Sequence, residues 1–351
     1  MTARRTALIP GALGITGRCL LERLERDPSW DIVALARRKP DFPTRARLVS
    51  VDLLDPAESR ARLGALGDVT HVFYCAYSPR PTRQGESETN VGMLANLMDG
   101  LEPAAKNLAH VQLMLGNKWY GSSIGPFPTP TREDDQRPMG PNFYHAQQDW
   151  LVARRAGKAW TWSALRPHGV WGFAVGGALN LMNAIACYAV ISKHLGLPLS
   201  FPGKPGNFTA IYNMIDVDLL AEAMEWAATD PKAADQAFNM TNGDILRWSN
   251  VWPTLAAFFG MEVGPLRTLR IGEMMADKGP VWDEIVARHG LRQLKLPELA
   301  NFNYLDFALG AEYDQMAHMG AARRAGWNRW QDTEKTMTRQ LQRIRDLRVI
   351  P

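Results

Sequence analysis

The chain of 351 residues is 46% apolar with a formal net charge of +4, enough apolar sequence for a sizeable core and too little net charge to suggest a nucleic-acid partner. Three well-separated cysteines, Cys19, Cys75 and Cys187, fit reduced buried thiols in a cytoplasmic protein better than a disulfide framework. The start, "MTARRTALIPG", runs from two arginines into a strand without a signal-peptide segment. Residues 178–192, "ALNLMNAIACYAVIS", are apolar but interrupted by Asn180 and Asn183 and too short for membrane insertion, so a buried helix lining a pocket is expected.

In chain order, "RTALIPGALGITGRCLLERL" reads as a strand, a glycine turn and a helix with apolar periodicity at Leu20, Leu21 and Leu24. Gly11, Gly14 and Gly17 form a G-x-x-G-x-x-G spacing at this first strand-to-helix junction, where unpaired helix N–H groups suit a pyrophosphate. A purely structural turn would use the same glycines. Pro10 removes a backbone donor at the strand end. "WDIVALARRKP" is the expected second strand, followed by Arg37 and Arg38 where an NAD-binding unit usually has an acidic residue; the pair suits a 2′-phosphate and favours NADP(H), a solvated basic turn being the alternative.

"ARLVSVDLLDP" predicts a third strand ending at Asp52, an acceptor for an adenine amino group, with Leu53 packing beside it. "VTHVFYCAY" predicts a fourth, its end at Ala76 passing the cofactor ribose, and "AHVQLMLGNKWYG" a fifth. Strands alternating with helices at this spacing give an α/β fold, a Rossmann-type doubly wound parallel sheet whose ligands bind at the carboxyl ends of its strands. Residues 1–172 are expected to form the nucleotide-binding core and 173–351 a smaller, mainly helical substrate lobe, with some strands and helices returning to the core.

The chemical clue is a displaced lysine. In "PNFYHAQQDW" a tyrosine opens a helix as in short-chain dehydrogenases, but Gln148 stands four residues after Tyr144, where lysine is usual. In "LGNKWYG" the strand end has Gly116 where a serine is expected, and Lys118 two residues on. If the sheet is parallel as predicted, both segments converge on one cleft, and a relocated cation explains both changes.

These segments, with "GALGITG", "VDLLDP", "THVFYCAY" and "NLMNAIACYAVISKHLGLPLSFPG", resemble the progesterone 5β-reductase and iridoid synthase-like family of atypical short-chain dehydrogenases, almost end to end. The resemblance implies catalytic roles for Tyr144 and Lys118 and cofactor contacts at Leu13, Gly14, Ile15, Arg37, Arg38, Asp52, Leu53, Ala76, Met114 and Val170, the matches at Ala76 and Met114 being positional only. Tyr144 is counted among the cofactor contacts as well. Two departures bear on the substrate: His145, where plant members carry a second tyrosine, and three extra residues before "GPF".

A tyrosine is a hydrogen-bond donor at neutral pH, and a nearby ammonium strengthens it toward developing negative charge. Facing an enone, Tyr144 and Lys118 would stabilise the enolate left by hydride addition at the β-carbon, with the α-carbon protonated from water. Direct carbonyl reduction with the same groups, and a non-catalytic NADP(H) sensor, are the alternatives. His145 is expected to be an exposed or core-satisfied histidine rather than a proton relay, and Arg166 of "RPHGVWG" to hold the strand end.

After Gly172 the chain is rich in Trp, Met, Phe and Tyr, a setting for a small lipophilic carbonyl substrate. Phe127 and Tyr304 align with substrate-gating positions of the family; Trp119, His145, Asn180 and Met182 are looser candidates, and each also suits a core. Residues 312–347 read as a charged surface helix region. No metal-ligand spacing appears, so a metal-independent reaction is expected, with no nucleic-acid partner and compatibility with a homodimer.

Overall fold

The computed structural model describes residues 4–177 and 179–351; Ala178, the first residue of the expected buried helix, lies outside them. In chain order the elements are β1 (Arg5–Pro10), α1 (Ile15–Leu24), β2 (Trp30–Leu35), β3 (Arg47–Val49), α2 (Pro56–Leu63), β4 (His71–Tyr74), α3 (Arg83–Leu101), β5 (His110–Met114), a 3₁₀ turn (Asn117–Tyr120), α4 (Phe143–Arg155) and β6 (Thr161–Pro167). There follow β7 (Val170–Trp171), α5 (Leu181–His194), α6 (Pro205–Thr209), β8 (Ile215–Asp216), α7 (Val217–Thr229), β9 (Gln236–Met240) and several further helices.

The chain divides into two compact units. The first comprises the residues up to Pro167 together with Leu220–Met240 and His318–Asn328. Its sheet has the order β3-β2-β1-β4-β5-β6-β9, and every pairing is parallel. The winding reverses between β1 and β4, and ligands of such sheets bind outside the carboxyl ends of the strands at this switch point. Leu8, Val33, Val72, Val111 and Ala164 are buried on neighbouring strands, as near-continuous apolar runs covered on both faces require.

Two strands are shorter than their sequence suggests. β3 stops at Val49 rather than Asp52, because as an edge strand it pairs with β2 alone. β4 stops at Tyr74, although the Cys75 N–H still donates to the Pro10 carbonyl before the chain leaves the sheet. The residues after them, Asp52 and Ala76, therefore lie in turns, where their backbone is no longer committed to the ladder.

The second unit comprises His168–Leu219, Thr241–Ala317 and Arg329–Pro351. Its core is built around α5, whose residues Leu181 to Ser192 are all buried, as expected of the apolar run. Asn180 caps that helix by accepting from the Asn183 N–H, and Asn183 in turn donates to the Ala174 carbonyl, so both polar interruptions serve helix geometry. Buried Trp248, Trp252 and Trp282 fill the remaining space. The expected surface helix over 312–347 is instead two helices, Gly320–Arg324 in the first unit and Thr333–Asp346 in the second. Gly326, with φ of 102°, breaks the chain between them. The longer one is amphipathic: it buries Met337, Leu341 and Ile344, while Arg339 and Gln340 bond the buried Asp216. Among the described residues no helix is long and apolar enough to cross a membrane.

Candidate active site

The first strand ends in a turn that only glycine can make. Gly11 has φ of 79°, and a Cβ there would lie 2.7 Å from the Cys75 backbone; at Gly17 it would lie 2.3 Å from the Gly11 carbonyl oxygen. Gly14 begins α1 without a side-chain cap, so the first N–H groups of a ten-residue helix, from Ile15 onward, remain for an anion. Leu13 is buried, and its carbonyl accepts from Arg38 at 3.2 Å. Asp41 pairs with the buried Arg18 of α1 at 3.2 Å and, more loosely, with Arg38 at 3.9 Å. This bracket sets Arg38 beside the glycine turn, with Arg37 exposed next to it in the chain.

Asp52 and Leu53 form a turn tied down on several sides. Asp52 accepts from the Leu54 N–H, and Asn96 of α3 donates to the Leu53 carbonyl at 2.8 Å. Ala76 and Met114 are half-buried at the ends of β4 and β5. A bound dinucleotide fits this set: a glycine turn free of side chains, an uncapped helix start, basic groups after β2 and an acidic turn after β3.

The segment after β5 is held by the start of α4. Asn142 caps α4, its Oδ1 accepting from the Tyr144 N–H at 3.0 Å, while its Nδ2 donates to the Lys118 carbonyl at 2.7 Å. One residue along, His145 is buried and its Nε2 donates to the Trp119 carbonyl at 2.8 Å. Successive carbonyls of the 3₁₀ turn are thus gripped by one helical turn. The Nε2 proton of His145 is committed to backbone, and burial holds its pKa below the usual imidazole range, so it stays neutral.

Tyr144 folds back onto the strand end. A Cβ built at Gly116 would stand 3.1 Å from the Tyr144 hydroxyl and 3.5 Å from its Cε2, so the phenol fills the place a serine side chain would take. The Lys118 ammonium lies 5.9 Å from the centre of the Tyr77 ring. Tyr77 packs on Phe143 at 5.2 Å between ring centres, and Phe143 on Tyr144 at 4.1 Å. Burial lowers the Lys118 pKa, the Glu86 carboxylate opposes that, and Arg83 adds to it.

Gln148, where lysine is usual, has another task. Its Oε1 accepts from Arg166 at 3.2 Å. Arg166 is 1% exposed, also donates to the Tyr120 hydroxyl and the Glu133 carbonyl, and lies 3.5 Å over the Trp119 ring. Arg137, paired with Asp149, also lies within 4.9 Å of that ring. Trp119 is therefore a buried anchor for the turn. Phe127 packs partly buried against the first unit's core.

Val170, Asn180, Met182 and Tyr304 belong to the second unit. Asn180 and Met182 are fully buried, the first as a helix cap; Val170 and Tyr304 are half-buried, Tyr304 stacking on Phe307 at 6.3 Å. The sequence reading missed Asn142, Tyr77 and Glu86. Asn142 carried a usable signal, being a helix-capping residue directly before Phe143 and Tyr144. The other two had none, because nothing in their spacing relates them to Lys118.

Comparison with known proteins agrees with this architecture. The chain is 34% identical to (S)-8-oxocitronellyl enol synthase of Nepeta racemosa over 98% of its length and 93% of the relative's. It is 33% identical, with the same shares covered, to 3-oxo-Delta(4,5)-steroid 5-beta-reductase of Arabidopsis thaliana. Among solved structures it resembles the fold of UDP-glucose 4-epimerase from Thermotoga maritima, with a TM-score of 0.69, 13% identity and 97% and 99% of the two chains covered. A short-chain dehydrogenase/reductase superfamily protein from Agrobacterium tumefaciens, solved with bound NAD, gives a TM-score of 0.66 at 14% identity, covering 98% of each chain. The family model described as a PRISE-like Rossmann-fold domain matches residues 7–351, and the chain belongs to that family.

Proposed function

We propose that this oxidoreductase reduces the activated C=C bond of lipophilic enones or enals, with NADPH as the reductant and Tyr144 and Lys118 as catalytic residues. The observation that carries this is that Asn142 at the start of α4 binds both the Lys118 carbonyl and the Tyr144 N–H, while the Tyr144 phenol lies against Gly116, at the carboxyl edge of β5. The relatives' names support it, since one is an enol synthase and another a reductase of a Delta(4,5)-steroid ketone.

A nicotinamide cofactor, when bound, supplies hydride. The glycine turn and the uncapped start of α1 would hold its pyrophosphate, and Arg37 and Arg38 a 2′-phosphate. Tyr144 donates its O–H to the substrate carbonyl oxygen. The Lys118 charge stabilises the negative charge that collects there as the β-carbon accepts hydride. The enolate then takes a proton at its α-carbon from water, so no separate carbon acid is required.

Incubation with NADPH and 2-cyclohexen-1-one, followed by product identification, tests the reading. Cyclohexanone is the expected product. Allylic alcohol would replace it with direct carbonyl reduction, and absence of turnover across a broad panel of enones and aldehydes would favour a nucleotide-sensing role. Tyr144→Phe and Lys118→Met should each lower turnover while leaving NADPH binding intact; undiminished activity in both would remove their assigned roles.

A further inference from the structure

Lys118 is half-buried, and among the described residues no acceptor or carboxylate lies in contact with its ammonium. A cation taken partly out of water needs compensation. The nearest support is the face of Tyr77, at a distance within cation–π range. The Tyr77 hydroxyl donates to Glu86. Glu86 lies in the first turn of α3, where the helix N-terminus favours a carboxylate.

Tyr77 itself is fixed. Its neighbour Ser78 is clamped at both backbone groups by the buried Asn90 of α3, which accepts from Ser78 N–H at 2.9 Å and donates to its carbonyl at 2.8 Å. The loop after β4 and the start of α3 therefore present one unit, a carboxylate bonded to a phenol whose ring faces Lys118.

We propose that Glu86 is the counter-charge of the Lys118 ammonium and Tyr77 the surface on which that ammonium rests, both acting as positioning residues for Lys118. The proposal rests on the catalytic assignment of Lys118. A phenol that donates to a carboxylate has a more electron-rich ring, which strengthens its hold on a cation. The charged and titratable groups around Lys118 are Glu86, which favours its protonated form, Arg83, which opposes it, and the phenol of Tyr77, itself influenced by Tyr144. Burial and Glu86 push the Tyr77 pKa up, with Tyr144 contributing, so Tyr77 stays neutral and is no proton donor to the enolate.

The test uses the full-length protein labelled with ¹³C at the lysine ε-carbons. The Lys118 signal is assigned by its loss in Lys118→Met, and titrated in wild type, Glu86→Gln, Arg83→Gln and Tyr77→Phe. Glu86→Gln should lower the Lys118 midpoint by about one pH unit, and Arg83→Gln should raise it. Tyr77→Phe keeps the ring but frees Glu86, and should move the midpoint down by less than Glu86→Gln. The alkaline limb of the enone-reduction profile should move in the same directions. An unchanged midpoint in Glu86→Gln, or shifts of one sign in both charge variants, would overturn the proposal. Wild-type protein without enone turnover would instead remove the proposed function, while the NMR midpoints still decide the role of Glu86.

Discussion

Asn142 joins the two proposed catalytic residues through their backbones, donating from Nδ2 to the carbonyl of Lys118 at 2.7 Å and accepting at Oδ1 from the N–H of Tyr144 at 3.0 Å. The same amide that starts α4 therefore fixes the turn carrying the lysine. Asn142→Asp keeps the cap but replaces the donor with a charge facing a carbonyl, so the helix should survive while the lysine turn shifts. A displacement near 1 Å of a catalytic group costs about 100-fold, and kcat should fall toward that extent with NADPH affinity little changed. Asn142→Ala loses the cap as well, at about 1 kcal/mol of stability. Steady-state kinetics and thermal melting of the pair separate the two roles.

Restoring the usual lysine should fail. Gln148→Lys would bring an ammonium against the guanidinium of Arg166, now 3.2 Å from the Gln148 Oε1 and itself buried. Like charges in a buried site cost about 3 kcal/mol or more, and Arg166 cannot withdraw without releasing Trp119 and Tyr120. Gln148→Glu supplies an acceptor of opposite charge and should melt near wild type. Urea denaturation of both variants checks the sign; a Gln148→Lys protein as stable as wild type would show that this cluster is not rigid.

How much of this was legible in the sequence follows from the range over which each feature is determined. The order of strands and helices in the first unit, the glycine turn and the buried helix after Asn180 are set by local periodicity and capping, and the sequence shows them. The ends of β3 and β4 were overestimated because apolar residues such as Val51 and Leu53 are buried in turns packed on the sheet, which periodicity cannot distinguish from strand. In the site, Lys118 and Tyr144 stood out as departures from a pattern. The meaning of Gln148 did not, because its partner Arg166 is 18 residues away on another element. Nor did the surroundings of Trp119, for the same reason: only the fold brings two guanidinium groups onto its ring.

Gly116 should not tolerate the serine that short-chain dehydrogenases usually carry at that place. Its backbone is extended, so any residue fits the dihedral angles, and the conflict is with the Tyr144 hydroxyl 3.1 Å from a would-be Cβ. Gly116→Ser and Gly116→Ala should both push the phenol aside and lower kcat, by about 10- to 100-fold, without loss of fold. Serine would rescue activity relative to alanine only if its hydroxyl replaced the donor that the phenol supplies. Comparing kcat for the two variants decides between displacement and replacement.

Arg37 and Arg38 follow β2 on the exposed rim, and Arg38 is already turned toward the glycine loop. If the pair binds a 2′-phosphate, replacing both with alanine removes charge-assisted hydrogen bonds each worth about 1.5 to 3 kcal/mol. Affinity for NADPH should then fall tenfold or more on that estimate, while affinity for NADH changes little. Equal losses for both nucleotides would mean that the arginines merely brace the loop.

Acid should destabilise the protein through its buried imidazoles. Burial lowers the pKa of His71 to about 4, with the charge of Arg5 adding to it, and that of His110 to about 3, with the field of His71 adding. Neutral His110 bridges Thr161 and Ser163 within the sheet at 2.8 Å on each ring nitrogen. His168, in the second unit, is also fully buried and pushed to about 3 by burial alone. In the unfolded chain all three return to about 6.5, so below that pH the unfolded state binds more protons than the folded one. Their contribution to stability is complete above about pH 6.5 and is lost as pH falls toward 4 and 3, at up to about 1.4 kcal/mol per pH unit for each imidazole. Urea midpoints measured from pH 7.5 to 4.5 should fall steadily, and His71→Gln should flatten the slope by roughly one proton's worth. A wild-type midpoint independent of pH across that interval would show that the imidazoles gain protons without unfolding.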